Sequence, residues 1–193
     1  MRDSAVCRTD VMNISQWLYR DEVESTNDWM KTNHDTLMVG TCLYATTQTS
    51  GRGRGANKWQ SPEGGLYFSV LLSKGPELPN TELLMSHFSY HAKDFLNNRY
   101  KLQIEFKAPN DLHVNGCKLM GVLIDNVFHG NRLMACILGV GLNVNTQLMQ
   151  TINWKNGTAV SLRDLLTKET KLNTNQLMVE MLESYSIHNL INI

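Results

Sequence analysis

The chain has 193 residues, of which 42% are hydrophobic and 19% are charged, and its formal net charge is zero. This length suits one domain over residues 1–193 with a sizeable core, and a neutral chain has no overall field that attracts nucleic acid or an anionic membrane. Four cysteines without a C-x-x-C pair argue against a zinc site or a disulfide framework and fit a reducing cytoplasm. No apolar run reaches transmembrane length and no signal-peptide core opens the chain, so we expect a cytoplasmic protein that enters no membrane.

The first half of the chain carries alternating helix and strand signals. A capping signature at Ser25 predicts a short helix over about residues 26–32. Residues 41–49 are rich in β-forming side chains and predict a strand, and the apolar run 65–73, bounded by glycine and proline signals, predicts a buried strand. Apolar residues at helical spacing then predict an amphipathic helix over residues 80–98 that packs on a sheet.

The second half of the chain is typical of hairpins followed by helices. Asn115-Gly116 is a dipeptide favoured in two-residue type I′ turns, and it lies between the strands expected in IEFKAPNDLHV and CKLMGVLIDNVF. A further strand, RLMACILGVGLNV, follows a turn at residues 129–131, and helices are expected after Ser161 and over residues 174–190. Mixed α and β elements joined by hairpins predict an α+β fold and not a doubly wound sheet.

The stretch SGRGRGANKW, residues 50–59, follows a predicted strand and combines flexibility with charge. Glycines after a strand can turn successive backbone N–H groups toward an anion, and arginines add charged donors that suit phosphate or carboxylate. The stretch does not match a Walker A loop, and GVGLN at residues 139–143 does not complete a Rossmann fingerprint. A mobile surface loop with solvated arginines explains the same residues equally well, whereas one short box in a neutral chain gives little support for an RNA-binding tail.

A second stretch, residues 107–121, places Lys118 just after the hairpin turn, at the start of a strand that we expect to be inward-facing and buried. A buried ammonium needs a charged ligand or a partner. An ion pair with Asp111 across the hairpin is the purely structural alternative.

The remaining chemical candidates are weaker. His87 and His91 are four residues apart, but Phe88 occupies the position where a zinc protease carries its glutamate, so we expect ordinary helix residues. The sequence has no G-x-S-x-G elbow and no cysteine–histidine pairing that would support a nucleophilic enzyme.

Four stretches in chain order resemble the biotin protein ligase family: ESTN at residues 24–27, QTSGRGRGANKW at 48–59, KAPND…KLMG at 107–121 and GVGLN at 139–143. The resemblance covers about residues 19–145. It implies the catalytic domain of that family, which has a mixed, largely antiparallel sheet with helices packed on one face. This fold agrees with the α+β class predicted from the elements.

The resemblance also implies roles for individual residues. The biotin site would comprise Ser25, Thr26, Asn27, Gln48, Gly51, Arg52, Lys118, Gly121, Gly139 and Gly141. The ATP and adenylate site would comprise Arg52, Gly53, Arg54, Trp59, Asn110, Lys118 and Asn143. The catalytic residues would be Lys118, Arg52, Arg54 and Asp111, and the metal ligands stay unassigned. Short hydroxyl and amide side chains suit a buried ureido group, and the glycines would let the backbone approach the ligand closely.

The activity implied by the resemblance is ATP-dependent biotin protein ligation in two steps. The biotin carboxylate attacks ATP in the presence of Mg²⁺, and a lysine amine of a biotin carboxyl carrier protein then attacks the biotinyl-5′-AMP. Lys118 and the loop arginines would stabilise developing charge, and a loop that orders over the intermediate would exclude water. The family uses no prosthetic group and no enzyme nucleophile, and its members often form homodimers.

The chain departs from the family's pattern at several points. Ala108 stands where the family commonly has Trp, which is expected to change packing on the nucleotide side, and Met120 replaces a small residue and is expected to narrow the biotin channel. About 20 residues precede ESTN, so we expect no DNA-binding helix-turn-helix and no DNA partner. The chain ends at Ile193, so we also expect no C-terminal β-barrel domain.

Two other functions compete with biotin ligation. A lipoate or octanoate protein ligase or transferase would share the fold, but its substrate tail has little use for the polar residues 25–27 and Gln48. A non-catalytic module that binds biotin or an adenylate would act through a partner. The presence of Lys118, Arg52 and Arg54 favours catalysis over that module.

Overall fold

The computed structural model describes residues 12–75, 80–146, 159–166 and 171–185. Its strands are β1 (Gln16–Val23), β2 (Thr41–Gln48), β3 (Leu66–Ser73), β4 (Glu105–Lys107), β5 (Asp111–Val114), β6 (Cys117–His129) and β7 (Arg132–Leu142). Its helices are α1 (Thr26–Asn33), α2 (Thr81–Tyr100), α3 (Leu162–Leu166) and α4 (Thr174–Glu183). The α+β class is therefore confirmed.

All seven strands join one sheet in the order β1-β2-β3-β7-β6-β5-β4. Neighbouring strands run antiparallel except β1 and β2, which are parallel. The predicted mixed, largely antiparallel sheet is confirmed. Its centre is formed by β3 and β7, whose apolar runs place buried side chains on both faces.

The two faces of the sheet carry different helices, because successive side chains of a strand point to opposite faces. Phe68 and Leu138 face the larger core, where buried residues of α2 and α4 pack, as predicted for one helical face. Leu71 and Ile137 face the other way and enclose Met30 of α1 in a smaller core. The short helix α1 thus lies on the opposite face from α2 and α4.

The turns and helix ends follow the local sequence signals closely. Asn115 and Gly116 adopt positive φ values of 51° and 77°, as a type I′ turn requires, and join β5 to β6. Ser25 caps α1 by accepting a hydrogen bond from Asp28 N at 3.3 Å. The last predicted helix ends earlier than expected, at Glu183, and its predicted residues 186–190 lie outside the described residues.

The edge strand β1 is absent from the sequence prediction. It pairs with β2 along most of its length, although Trp17 and Tyr19 remain 40% and 46% exposed. An exposed edge strand has no apolar face to give it a clear alternation, so its pattern is easily missed. Within the described parts of the chain, none of the helices is long and apolar enough to span a membrane.

Candidate functional site

A cleft of about 1260 Å³ opens on the α1 face of the sheet. It is bordered by the start of α1, the glycine-arginine loop after β2, the β5–β6 hairpin and the centre of β7. All the predicted site residues except Gly51 line it, and Gly51 is buried at the base of the loop. The fold therefore brings the four separated motifs into one cavity.

One end of the cleft is a polar site built on the N-terminus of α1. The side-chain oxygen of Gln48 accepts hydrogen bonds from Thr26 N at 2.8 Å and from the Thr26 hydroxyl at 3.2 Å. Ser25 and Thr26 are buried, at 1% and 4% exposure. We call Ser25, Thr26, Asn27 and Gln48 the head site. Its polar groups are held by hydrogen bonds, as buried polar groups must be.

The Asn27 amide is fixed by two residues behind the cleft. Its Nδ2 donates to Asp125 Oδ2 at 3.0 Å, and its Oδ1 accepts from the Ser69 hydroxyl at 2.5 Å. The same Ser69 hydroxyl lies 2.8 Å from Thr26 Oγ1. A β-carbon on Gly139 would collide with this amide, so only glycine leaves room for it. Here the glycine makes space for a side chain of the protein itself.

The loop after β2 is a short hairpin arm. Trp59 N donates to Gly51 O at 2.9 Å and Gly53 N donates to Asn57 O at 2.9 Å, which pairs the two sides of the arm. Arg52 Nη1 lies 3.1 Å from Asp28 Oδ1 on α1, so this arginine is held at the rim of the cleft. Arg54 also lines the cleft and is exposed. We call residues 51–61 the arm.

Trp59 lies across glycines of the neighbouring strands β6 and β7. A β-carbon on Gly141 would lie 2.5 Å from Trp59 Cε2, and one on Gly121 would lie 3.1 Å from Cζ3. The indole Nε1 is buried without a hydrogen-bond partner among the described residues. Lys118 Nζ lies 5.3 Å from the centre of the indole ring, within cation–π range. An unpaired donor and an ammonium thus meet on the floor of the cleft.

Lys118 corrects one expectation and confirms another. Its side chain is 34% exposed, so it is not the fully buried lysine that the strand pattern predicts. Its Nζ lies 2.7 Å from Asp111 Oδ2, which is the ion pair expected as the structural alternative. The ammonium stays partly solvated, because Lys118 lies two residues after the Asn115-Gly116 turn and its side chain faces the open cleft. Lys118 and Asp111 form their ion pair within the lining of the cleft, so the pair does not exclude a role for Lys118 at the site.

Two asparagines of the predicted nucleotide site already bond to the backbone. Asn110 Nδ2 donates to Val122 O at 2.7 Å, and Asn143 Nδ2 donates to the carbonyls of Lys118 and Val160 at 3.3 and 3.2 Å. Both residues line the cleft and are buried. They hold the hairpin and the end of β7 in place, and their role toward a nucleotide stays a prediction.

The expected effect of Met120 on the biotin channel is wrong. Met120 is fully buried in the larger core, paired with Leu112 and Leu142, and does not line the cleft. Its side chain is part of the larger core, against which α2 and α4 pack, and not of the cleft lining. Ala108 is exposed and also lies outside the cleft lining.

Four residues of the site were missed by sequence reasoning: Asp28, Ser61, Ser69 and Asp125. Each supports a predicted residue through a side-chain hydrogen bond or ion pair. Ser69 and Asp125 interrupt apolar strand runs, and a polar residue in a buried run needs a partner. That signal indicates that each residue has a polar partner, but it does not identify the partner. The partner that both share is Asn27, which is 42 residues from Ser69 and 98 residues from Asp125 in the chain.

A family model for the biotin/lipoate A/B protein ligase family matches residues 17–143, which contain nearly all of the cleft. The chain belongs to this family. It is 32% identical over 145 residues to the bifunctional ligase/repressor BirA of Bacillus spizizenii, covering 72% of this chain and 43% of that protein. It is also 32% identical over 133 residues to biotin–protein ligase 1, chloroplastic, of Arabidopsis thaliana, covering 66% of this chain and 36% of the relative. The chain thus spans less than half the length of these relatives.

Solved members of the biotin/lipoate ligase family have the same fold. The biotin protein ligase from Aquifex aeolicus in complex with biotin and ATP aligns with a TM-score of 0.74 and 30% identity, over 88% of this chain and 68% of that chain. A bipartite lipoate protein ligase from Thermoplasma acidophilum aligns with a TM-score of 0.57 and 10% identity, over 88% of this chain and 82% of that one. The second likeness concerns the fold alone.

Proposed function

We propose that this chain forms the catalytic part of an ATP-dependent biotin protein ligase. The observation that carries the proposal is one cleft that holds the polar head site together with Lys118 and two arginines. The Aquifex relative is described with biotin and ATP bound together, and the Bacillus relative is a ligase by name. Such a cleft can hold an acid and a nucleotide next to each other.

The hydrogen bonds of the head site favour a cyclic urea as the ligand. The Thr26 hydroxyl donates to Gln48 Oε1, so toward a ligand it offers only a lone pair. Ser25 Oγ accepts from Asp28 N, which leaves its hydroxyl hydrogen for a ligand, and Gln48 Nε2 uses one of its two hydrogens on Ser61. One acceptor beside two donors matches a carbonyl flanked by N–H groups. A dithiolane offers no such groups, which supports biotin over lipoate.

The charges of the cleft suit a triphosphate. Its lining contains five cations and one carboxylate, that of Asp111; the cations are Arg52, Arg54, Lys58, Lys107 and Lys118. In a chain of zero net charge this concentration is local and favours an anionic ligand at this point.

The first step joins biotin to AMP. A biotin carboxylate oxygen bonds to the α-phosphorus of ATP while the bond to pyrophosphate breaks and pyrophosphate leaves. Negative charge gathers on the phosphoryl oxygens, where Arg52, Arg54 and Lys118 supply fixed donors. The arm excludes water from the resulting mixed anhydride, which hydrolyses when wet.

The second step moves the biotinyl group to a lysine of a biotin carboxyl carrier protein. The lysine nitrogen attacks the carbonyl carbon, AMP leaves, and the amine loses a proton. In this proposal Lys118 stabilises the oxyanion, and its ammonium lies 5.3 Å from the indole ring of Trp59, whose Nε1 has no hydrogen-bond partner among the described residues. None of these steps needs a nucleophile from the enzyme.

The residues present also fit a magnesium ion that accompanies ATP. Asp111 Oδ1 is buried and has no hydrogen-bond partner among the described residues, while its other oxygen pairs with Lys118. Magnesium is commonly held by one or two carboxylates together with substrate phosphates, and it neutralises charge on the phosphates. Asp111 is therefore the residue that we propose for holding it.

The remaining properties are part of the same proposal. Four properties stay predictions: a single domain over residues 1–193, a cytoplasmic location, the carrier-protein partner and a homodimer. The absence of a DNA partner is likewise a prediction.

Pyrophosphate release tests the function and separates its rivals. The protein is incubated with radiolabelled ATP, Mg²⁺ and either biotin or lipoate. Release that depends on biotin supports the proposal. Release that depends on lipoate selects the lipoate ligase, and tight binding of biotin without turnover selects a non-catalytic module.

A further inference from the structure

Ser61 is a buried residue that touches the head site from behind. It is 6% exposed, and it does not line the cleft. Its hydroxyl accepts a hydrogen bond from Gln48 Nε2 at 2.7 Å. The backbones of the two residues are also paired, since Gln48 N donates to Ser61 O at 3.2 Å. Ser61 thus closes the base of the arm directly onto a head-site residue.

The hydrogen bond to Ser61 completes the orientation of the Gln48 amide. Gln48 Oε1 is held by the backbone and hydroxyl of Thr26, and Ser61 holds the nitrogen on the other side. With both ends fixed, the second Nε2 hydrogen has a single direction. Without the Ser61 hydroxyl, a buried N–H would lose its partner, which is costly unless the amide turns away.

The same serine belongs to the arm. Its hydroxyl lies 3.4 Å from Trp59 O as a weak donor, and Trp59 N donates to Gly51 O. A β-carbon on Gly51 would lie 2.7 Å from Ser61 Oγ and 3.1 Å from Gln48 Nε2, so the packing here depends on glycine. The base of the arm and the head site are therefore one hydrogen-bonded unit.

We propose that Ser61 is a positioning residue for substrate recognition, which acts through Gln48 by fixing the amide that meets the ureido group. The inference rests on the proposed biotin site. Ser61 does not line the cleft, and the head-site side chain that its hydroxyl contacts is that of Gln48, so we expect its effect on biotin to pass through Gln48. Two substitutions that act through one contact give non-additive effects, whereas independent sites add.

The test is a double-mutant cycle on biotin affinity, measured by calorimetry with biotin alone. Ser61→Ala and Gln48→Ala are each expected to weaken binding about tenfold or more. The double variant is expected to bind no more than about twofold more weakly than Gln48→Ala alone. Ser61→Thr keeps the hydroxyl and is expected to restore most of the affinity.

Ser89→Ala is the matched control. Ser89 is also a buried serine, and its hydroxyl donates to Met85 O within α2, far from the cleft. This variant is expected to bind biotin like the wild type. If Ser61→Ala does not fold, Ser61→Cys, which keeps the volume but only a weak acceptor, takes its place in the cycle.

The outcomes separate the two proposals. Wild-type protein that does not bind biotin overturns the proposed function, and the inference with it. Wild-type protein that binds biotin, with Ser61→Ala unchanged, overturns the inference alone. Effects that simply add in the double variant also overturn it, because Ser61 would then act independently of Gln48.

Discussion

At the scale of single residues, the head site depends on space as much as on hydrogen bonds. The Asn27 amide occupies the position that a side chain at Gly139 would take, and Asp125 and Ser69 hold it there. Asn27 is 4% exposed, so it cannot easily move aside. A methyl group added at Gly139 should therefore weaken ligand binding at the head site more than it lowers the stability of the fold.

Gly139→Ala is predicted to weaken biotin binding roughly tenfold or more, because the displaced Asn27 amide breaks its hydrogen bonds to Ser69 and Asp125. Calorimetric titration with biotin measures the effect. Leu138→Ala is the control, since its side chain faces the larger core. That variant should lower the free energy of unfolding by about 2–5 kcal/mol and leave the affinity of the folded protein unchanged. Wild-type affinity in Gly139→Ala would contradict the assigned geometry.

Lys118→Ala is predicted to abolish biotin transfer and to leave the fold intact. Its side chain is 34% exposed, so its ion pair with Asp111 adds little stability, whereas loss of such a charged donor typically slows a reaction about a hundredfold or more. Single-turnover transfer and thermal unfolding are measured together. Lys74→Ala, at a surface lysine bonded to Asp35 O, serves as the control. Near wild-type transfer by Lys118→Ala would remove this residue from the site.

The residues that line the cleft could be named from the sequence, because the family resemblance rests on short local motifs. Their supports could not. Asp125 lies 98 residues from Asn27, and Ser69 lies 42 residues from it, so only the sheet register brings them together. The predicted burial of Lys118 was also wrong, since its side chain is 34% exposed. Strand alternation predicts the face of the sheet on which a side chain lies, but it does not predict how much solvent reaches that side chain.

At the scale of elements, the arm is the segment that we expect to retain biotinyl-5′-AMP until the acceptor lysine reacts. Arg52→Ala removes its ion pair with Asp28 and one charged donor at the rim. We predict faster escape of biotinyl-5′-AMP and indiscriminate labelling of lysines on a bystander protein. Mass spectrometry of the bystander and the lifetime of the bound intermediate measure this. Arg132→Ala, at the exposed first residue of β7, is the control. Unchanged retention would mean that the arm is not a lid.

The contact between α2 and α4 is predicted to weaken in acid. Burial lowers the pKa of His87 and His91 below the ordinary value of 6.5, and the His91 shift persists although the Met181 carbonyl and Asp94 oppose it. The unfolded chain therefore binds protons at a higher pH than the folded chain. Stability should be full above about pH 7 and decrease as the pH falls through 6.5.

Urea unfolding at several pH values between 5 and 8 checks this prediction. His91→Gln should flatten the dependence, whereas His129→Gln, at an exposed residue, should not. A wild-type protein that is equally stable across this range would contradict the lowered pKa of the two half-buried histidines. Both side chains pack against Tyr185, which supports their assignment as ordinary helix residues.

Most elements could be predicted because their signals are local. The Asn115-Gly116 turn, the cap at Ser25 and the buried run of β3 each identify their element within a few residues. Strand β1 could not, because its exposed edge position leaves no pattern, and its parallel pairing with β2 arises only in the folded sheet. The position of α1 on the opposite face from α2 was likewise a tertiary property.

At the scale of the whole molecule, one sheet supports the cleft and separates it from the main core. The α2 and α4 face stabilises the fold, while the α1 face carries the head site, the arm and Lys118. Family membership follows from the match over residues 17–143. The chain spans less than half the length of its curated relatives, so the complete two-step activity is a proposal and not a consequence of membership. It is the central claim of the account.

Transfer to an acceptor tests that claim most directly. The protein is incubated with biotin, ATP, Mg²⁺ and a purified biotin carboxyl carrier protein domain, and intact-protein mass spectrometry follows the acceptor. We predict one added biotinyl group on a single lysine, dependent on ATP and absent when that lysine is replaced by arginine. An acceptor that stays unmodified while the protein binds biotin would contradict a ligase and leave a binding module in its place.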